Sequence, residues 1–241
     1  MPRRYFTKHI DPSQIQEHIE PADFGSEINL GEYVNHQCAV IFVDLVNFTN
    51  IAWSLTTQQV MSIIQPLFHK ASIEIHTHGG MIDKFPGDGV VGFFPRHYEN
   101  DKNLIAESAI DCATKLMYWF YNTLRPQVTL PKQSHTLELC CGIDGGNISI
   151  AHVGTALHSE LILLGAEVNC ASKCQAAADK KEIVIGQDAK DMIHHKAFYG
   201  QYLSTGPNIG VVYTKNNSRY ISYRFNWESF TNDYSWAQGT A

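Results

Sequence analysis

Apolar and polar positions alternate along this chain in blocks that read as a mixed set of strands and helices. Val40–Val43 is a strongly apolar run and predicts a buried strand. Thr56-Thr57-Gln58-Gln59 opens a helix with Val60, Ile63, Ile64, Leu67 and Phe68 on one face, and Gly79-Gly80 ends it. Met81–Phe85 and Val90–Phe94 flank Pro86-Gly87-Asp88-Gly89, the pattern of a hairpin. Ala106–Leu124 predicts a second helix, with Ile110, Ala113, Leu116, Met117 and Phe120 on its apolar face. Leu137–Ile143 reads as a strand, and Asn147–His152 is expected to pair with it across a Gly145-Gly146 turn. Leu161–Leu164 is short and apolar, Val168–Ala178 reads as a helix, and Ile183–Ile185 as a strand. The final elements are expected as a hairpin, Val211–Tyr213 and Tyr220–Phe225 around Lys215-Asn216-Asn217. Before all of these, Asp11-Pro12-Ser13 has the form of a helix start.

Helices interleaved with evident hairpins predict an α+β fold: a mixed, largely antiparallel central sheet flanked by helices. Three segments are expected: an N-terminal extension over residues 1–36, a folded domain over 37–228, and a flexible polar tail over 229–241.

Composition narrows the class. The chain has 241 residues, 44% hydrophobic and 17% charged, which is globular composition. Its net charge of −6, with no basic block, argues against a grip on nucleic acid. No stretch is long and apolar enough for a membrane span, and Met1-Pro2-Arg3-Arg4-Tyr5-Phe6 is not a secretory signal. The six cysteines, none in a CxxC pair, read as buried free thiols, which fits a cytoplasmic protein. The histidines His76, His78, His194 and His195 lack metal-pair spacing and read as structural.

Candidate chemistry gathers at two aspartates. Asp44 ends the first apolar strand, and Asp88 sits in the hairpin turn. A carboxylate at the end of a buried strand is costly unless it is paired or holds a metal. Each has an ordinary alternative as a cap or turn residue. Together they offer a place for two hard cations of the kind that clamp a phosphate. Asn47-Phe48-Thr49 follows the first aspartate, and backbone amides in such a turn can cradle a triphosphate.

A third segment, Gly165-Ala166-Glu167-Val168-Asn169-Cys170-Ala171-Ser172-Lys173, completes a pattern. In this order the three segments resemble the catalytic domain of class III nucleotide cyclases, over residues 38–190. Matching positions are Asp44, Phe48 and Thr49; Lys84, Gly87 and Asp88; and Gly165, Val168, Asn169, Ala171 and Ser172. The resemblance implies a ferredoxin-like core and a cyclase mechanism. Asp44 and Asp88, with the Leu45 carbonyl, would hold two Mg²⁺ or Mn²⁺ ions. The amides of Val46, Asn47, Phe48 and Thr49 would hold the β- and γ-phosphates, and Asn169 would orient the ribose. The ribose 3′-hydroxyl would attack the α-phosphorus in line and expel pyrophosphate. It further implies a head-to-tail homodimer whose two sites each draw residues from both subunits.

The departures from the family bear on substrate. Lys173 replaces the arginine that stabilises the pentavalent phosphate, keeping charge but losing the planar fork. Cys140 stands where a phosphate-binding arginine is usual. The base-reading pair is Lys84 with Ile162, and isoleucine offers neither donor nor acceptor. Adenine would lose a hydrogen bond there, and Lys84 cannot accept guanine's protons. Lys84 can donate to a pyrimidine carbonyl, and uracil has two against one in cytosine. In these features the chain is similar to the pyrimidine cyclases of bacterial antiphage (Pycsar) systems. That likeness implies a cyclic UMP or cyclic CMP messenger, UTP favoured over CTP, acting through a cyclic-nucleotide-sensing effector. The competing expectations are an adenylate cyclase and a degenerate module that only binds nucleotide.

Overall fold

The structure, a computed structural model, describes residues 28–96, 104–131, 136–213 and 217–234. The Asp11-Pro12-Ser13 helix start, Lys215-Asn216 of the expected turn and residues 235–241 of the expected tail lie outside the described residues.

Chain order is β1 (Tyr33–Leu45), α1 (Phe48–Ala52), α2 (Thr57–Thr77), β2 (Met81–Lys84), β3 (Val90–Pro95) and α3 (Ile105–Trp119). Then come β4 (Leu139–Thr155), β5 (His158–Leu164), α4 (Ala166–Ala177), β6 (Ile183–Gly186), α5 (Gln187–Met192), α6 (Lys196–Gly200), β7 (Leu203–Thr205), β8 (Ser222–Phe225) and α7 (Trp227–Asp233). The strands form one sheet in the order β2-β3-β1-β4-β6-β8-β7, with β5 on the second half of β4. Every pairing is antiparallel except β4 with β6. The expected α+β class, with a largely antiparallel sheet, is the one observed.

Strand alternation decides what each face carries. Ala39, Ile41, Val43 and Leu45 of β1 point into the main core with α2 and α3. Cys38 and Val40 point to the opposite face, into a smaller core under α4 and β5. Asp44 belongs to this second series, so its side chain is directed toward α4 rather than into the main core. Burying a side chain such as Ile41 or Leu45 stabilises the fold by roughly 1.5–3 kcal/mol each, and both are essentially inaccessible.

The helix expected from Thr56 begins as the sequence indicates. The Thr56 side chain accepts from the Gln59 amide, and Gln59 reciprocates to the Thr56 amide. The second helix continues past Trp119 as a π-helical turn over Phe120–Leu124.

Several expectations are corrected. Gly145-Gly146 is not a turn. β4 runs straight through it, with Gly145 opposite Ala39 and Gly146 opposite Cys38. Both glycines are there for close packing. A Cβ on Gly146 would lie 2.6 Å from Glu167, and one on Gly145 would lie 2.8 Å from the Cys38 carbonyl. The first strand starts at Tyr33 and Ile28 is buried, so residues 28–36 belong to the folded body rather than to an appendage. Among the described residues the chain does not loosen directly after Trp227. Residues 227–233 form α7, and Phe230 is completely buried among Phe198, Tyr199, Tyr202 and Phe225. Aromatic spacing within a polar stretch hid this anchor. In the expected last hairpin, Val212 bridges Arg219, but Ser222–Phe225 pairs instead with β6 and with β7, a strand too short to be legible.

The six cysteines are free and buried, as expected. His78 is buried with its ring nitrogen 2.7 Å from the Glu74 carbonyl, a structural role. Among the described residues no helix is long and apolar enough to cross a membrane.

Candidate active site

Asp44 stands one residue from the end of β1, where the chain leaves the sheet. Asn47 takes the left-handed conformation (φ 56°), which asparagine tolerates, and turns the chain into α1. Across from it, Gly87 (φ 64°) shapes the β2–β3 turn that carries Asp88. Gly89 brings that turn hard against β1: a Cβ there would lie 2.9 Å from the Val43 carbonyl and 3.1 Å from Asp44 Oδ1. The two aspartates thereby share one mouth. A cleft of about 380 Å³ opens beside them, lined by Phe48, Thr49, Trp53, Ile64 and Asp88.

The electrostatics follow from that placement. Burial first, and then the charge of Asp88, push Asp44 up to about 6. Burial also raises Asp88. Among the described residues neither carboxylate is in an ion pair. Two half-buried carboxylates with uncompensated like charge are a donor set suited to a hard divalent cation. No third His, Cys, Asp or Glu converges on them among the described residues. The remaining ligands of such an ion would be carbonyl, water and phosphate oxygens, the usual complement for Mg²⁺. The residues present therefore fit the Mg²⁺ or Mn²⁺ that the sequence resemblance implies. Leu45 can contribute only its carbonyl, because its side chain is buried in the main core.

The phosphate loop is narrower than expected. The Val46 amide donates to the Glu138 carbonyl at 2.9 Å, so it is committed to holding the loop against the residue that leads into β4. The first-turn amides of Phe48 and Thr49 are of the kind that a helix leaves without intrahelical acceptors. Asn47 precedes them with no side-chain cap bond.

Lys84 and Ile162 lie elsewhere. Lys84 ends β2 beyond a bulge at Asp83, with Nζ 3.6 Å from Asp83 Oδ2. Ile162 is half-buried in β5, opposite Ala151. The two strands approach one another, and the Asp83 carboxylate is raised by burial and also senses Glu160 of β5. Asn169 and Lys173 are one helical turn apart on α4, and both are exposed. The fold thus presents three groups on one chain: the aspartates with their loop, Lys84 and Ile162 on strands that approach one another, and the Asn169–Lys173 helix face.

Two residues near the aspartates were not singled out by the sequence. Trp53 lines the cleft while 86% exposed. Gln175 donates from Nε2 to Asp44 Oδ2 at 3.1 Å. Neither carries a local signal, since Gln175 meets Asp44 only through the packing of α4 on β4. Cys140, at the position of the usual arginine, is buried, and burial pushes its thiol up to about 11.

Comparison with known proteins agrees with this layout. The model of the adenylate and guanylate cyclase catalytic domain matches residues 32–207. The chain is 26% identical over 224 residues to a cytidylate cyclase of Staphylococcus aureus, covering 89% of this chain and 52% of that protein. It is 27% identical over 164 residues to a terminal-differentiation-specific adenylate cyclase of Dictyostelium discoideum, covering 68% of this chain and 7% of that protein. This chain thus spans about half or less of the length of these relatives. In fold it is similar to the adenylyl cyclase CyaB of P. aeruginosa, with TM-score 0.64 and 24% identity, covering 80% of this chain and 95% of that one. With the match running from the start of β1 through β7, the chain belongs to the adenylate and guanylate cyclase catalytic-domain family.

Proposed function

We propose that the protein is a nucleotide cyclase that converts a pyrimidine nucleoside triphosphate, UTP ahead of CTP, into the 3′,5′-cyclic mononucleotide and pyrophosphate. The observation that supports the pyrimidine reading is the placement of Lys84 at the end of β2 and Ile162 in β5, two strands that approach one another. The ammonium donates to a ring carbonyl, while Ile162 narrows the base pocket and gives a purine amino group no partner. Similarity to a cytidylate cyclase supports a pyrimidine and makes CTP the natural competitor within that class.

Asp44 and Asp88, with the Leu45 carbonyl, would hold the divalent ions. Bound there, these ions supply charge neutralisation of the phosphates and acidification of the ribose hydroxyl. The amides of Asn47, Phe48 and Thr49 bind the β- and γ-phosphate oxygens. Asn169 orients the ribose so that its 3′-oxygen lies in line with the bond to be broken. The 3′-oxygen–phosphorus bond forms, the bond to the β-phosphate oxygen breaks, and the hydroxyl proton leaves to water. Lys173 stabilises the charge that builds on the α-phosphate, with less geometric control than an arginine fork.

Asn169 and Lys173 are exposed on α4 and make no hydrogen bond to Asp44 or Asp88 among the described residues. This supports a head-to-tail homodimer in which one subunit supplies the aspartates and the other supplies Asn169, Lys173, Lys84 and Ile162. The product would act as a messenger to a cyclic-nucleotide-sensing effector in antiphage defence. The test is incubation of purified protein with each NTP and Mn²⁺, followed by mass identification of products. Cyclic UMP or cyclic CMP is expected. Cyclic AMP as the main product would replace this reading with adenylate cyclase, and no product from folded protein would leave a binding module.

A further inference from the structure

Asp44 is half-buried, carries the like charge of Asp88 beside it, and is in no ion pair among the described residues. Its orientation is therefore set by hydrogen bonds. The only side chain that bonds its carboxylate among the described residues is Gln175, whose Nε2 donates to Oδ2 at 3.1 Å. Gln175 is itself held. Its Nε2 also reaches Cys140 Sγ at 3.5 Å, and the Cys140 thiol lies 3.7 Å from the Asp44 carbonyl and 3.9 Å from the Gln175 carbonyl. A small closed network thus ties the end of β1, the start of β4 and the last turn of α4.

The backbone is shaped to permit this. Gly142 of β4 lies directly beneath α4, and any Cβ there would collide with the backbone of Ala171 and Gln175. Only a glycine lets the helix sit low enough for Gln175 to reach Asp44. A neutral amide donor also suits the task. It fixes one carboxylate oxygen without neutralising the charge that a cation needs, as a lysine or arginine would.

We propose that Gln175 is a positioning residue for Asp44, holding Oδ2 so that the remaining lone pairs face the Asp88 side of the cleft for a divalent cation. This inference rests on the reading of Asp44 and Asp88 as metal ligands. Groups that orient metal-ligating carboxylates typically cost about 10–100-fold in metal affinity or activity when removed.

The test is Mn²⁺ affinity of the full chain without nucleotide, followed by electron paramagnetic resonance, for wild type, Gln175→Met, Asp44→Asn and the double variant. Thermal melting without metal serves as the control for folding, with Gln175→Leu as the substitute should Gln175→Met not fold. The expected result is Mn²⁺ binding about 10-fold weaker in the Gln175 variant at an unchanged melting temperature. In the Asp44→Asn background the same substitution is expected to change nothing further, because the effect runs through Asp44. Wild-type affinity in a folded Gln175→Met protein would overturn the proposal, as would an equal loss with and without Asp44. Failure of the underlying metal reading looks different: wild type would then bind no Mn²⁺, or Asp44→Asn would bind it as wild type does.

Discussion

The charge of Asp88 raises the pKa of Asp44 across the junction between β1 and the β2–β3 turn. The two carboxylates therefore behave as a linked pair. Neutralising Asp88 in Asp88→Asn is expected to lower the Asp44 pKa from about 6, while burial keeps it above the usual carboxylate range. Following the Asp44 carboxyl by nuclear magnetic resonance in metal-free protein checks this. The same variant, and Asp44→Asn, are each expected to abolish cyclase turnover with the fold intact. Retained turnover in either would remove the two-carboxylate mechanism.

Base choice should move with the Lys84–Ile162 pair and with little else. Lys84→Ala is expected to flatten the NTP preference while leaving the melting temperature near that of wild type, since the side chain is 46% exposed. Ile162→Asp restores an acceptor of the adenylate type and is expected to raise the ATP-to-UTP turnover ratio. Product masses from competing NTPs report both, and an unchanged profile in the two variants would refute the base-reading role.

Asp111 offers a pH test away from the site. Burial, the largest cause, pushes it up to about 8, against the Tyr199 hydroxyl bond that lowers it. A folded-state pKa above the unfolded value means that the native state holds a proton the unfolded chain has lost. Stability from this group therefore falls as pH rises between about 4, its ordinary value, and about 8. Asp111→Asn removes that slope, so its melting temperature is expected to gain on wild type as pH is raised from 5 to 8.5. Parallel curves for the two proteins would show that Asp111 is ionised in the fold.

Gly142→Ala forces β4 and α4 apart, because both meet there through backbone atoms that cannot swing aside. Overpacking of this kind typically costs about 1–3 kcal/mol, and a backbone clash belongs at the upper end. Denaturant unfolding is expected to show that loss. Wild-type stability would mean that α4 has freedom to lift.

How much the sequence disclosed depended on whether the cause was local. The Thr56–Gln59 capping box, the Pro86–Gly89 turn and the alternation through β1 are short-range signals, and each element they announced is present. Asp44 and Asp88 were legible because a charged residue punctuating an apolar run is itself local. Gly145-Gly146 misled because glycine marks both turns and close contacts, and only the packing of the Cys38 carbonyl on Gly145 and of Glu167 on Gly146 distinguishes them. The Val46 amide reads as available in the sequence because its acceptor, the Glu138 carbonyl just before β4, lies far along the chain. Gln175 is the limiting case: its partner lies 131 residues away, and nothing in its neighbours announces it.

The pairing of β1 with β4 joins Tyr33 to Ala151 at one end and Leu45 to Leu139 at the other, with α1 to α3 and the β2–β3 hairpin enclosed between them. For a chain emerging from the ribosome, this means a long wait. Both aspartates are made early, but β1 has no partner on that side until β4 is complete, and the Asp44 carboxylate has the Leu45 backbone amide but no Gln175 to orient it until α4 follows. Closing so large a loop is entropically slow. The partly synthesised chain therefore carries the carboxylates without a formed site, and competence arrives late, only after residue 175 has left the exit tunnel.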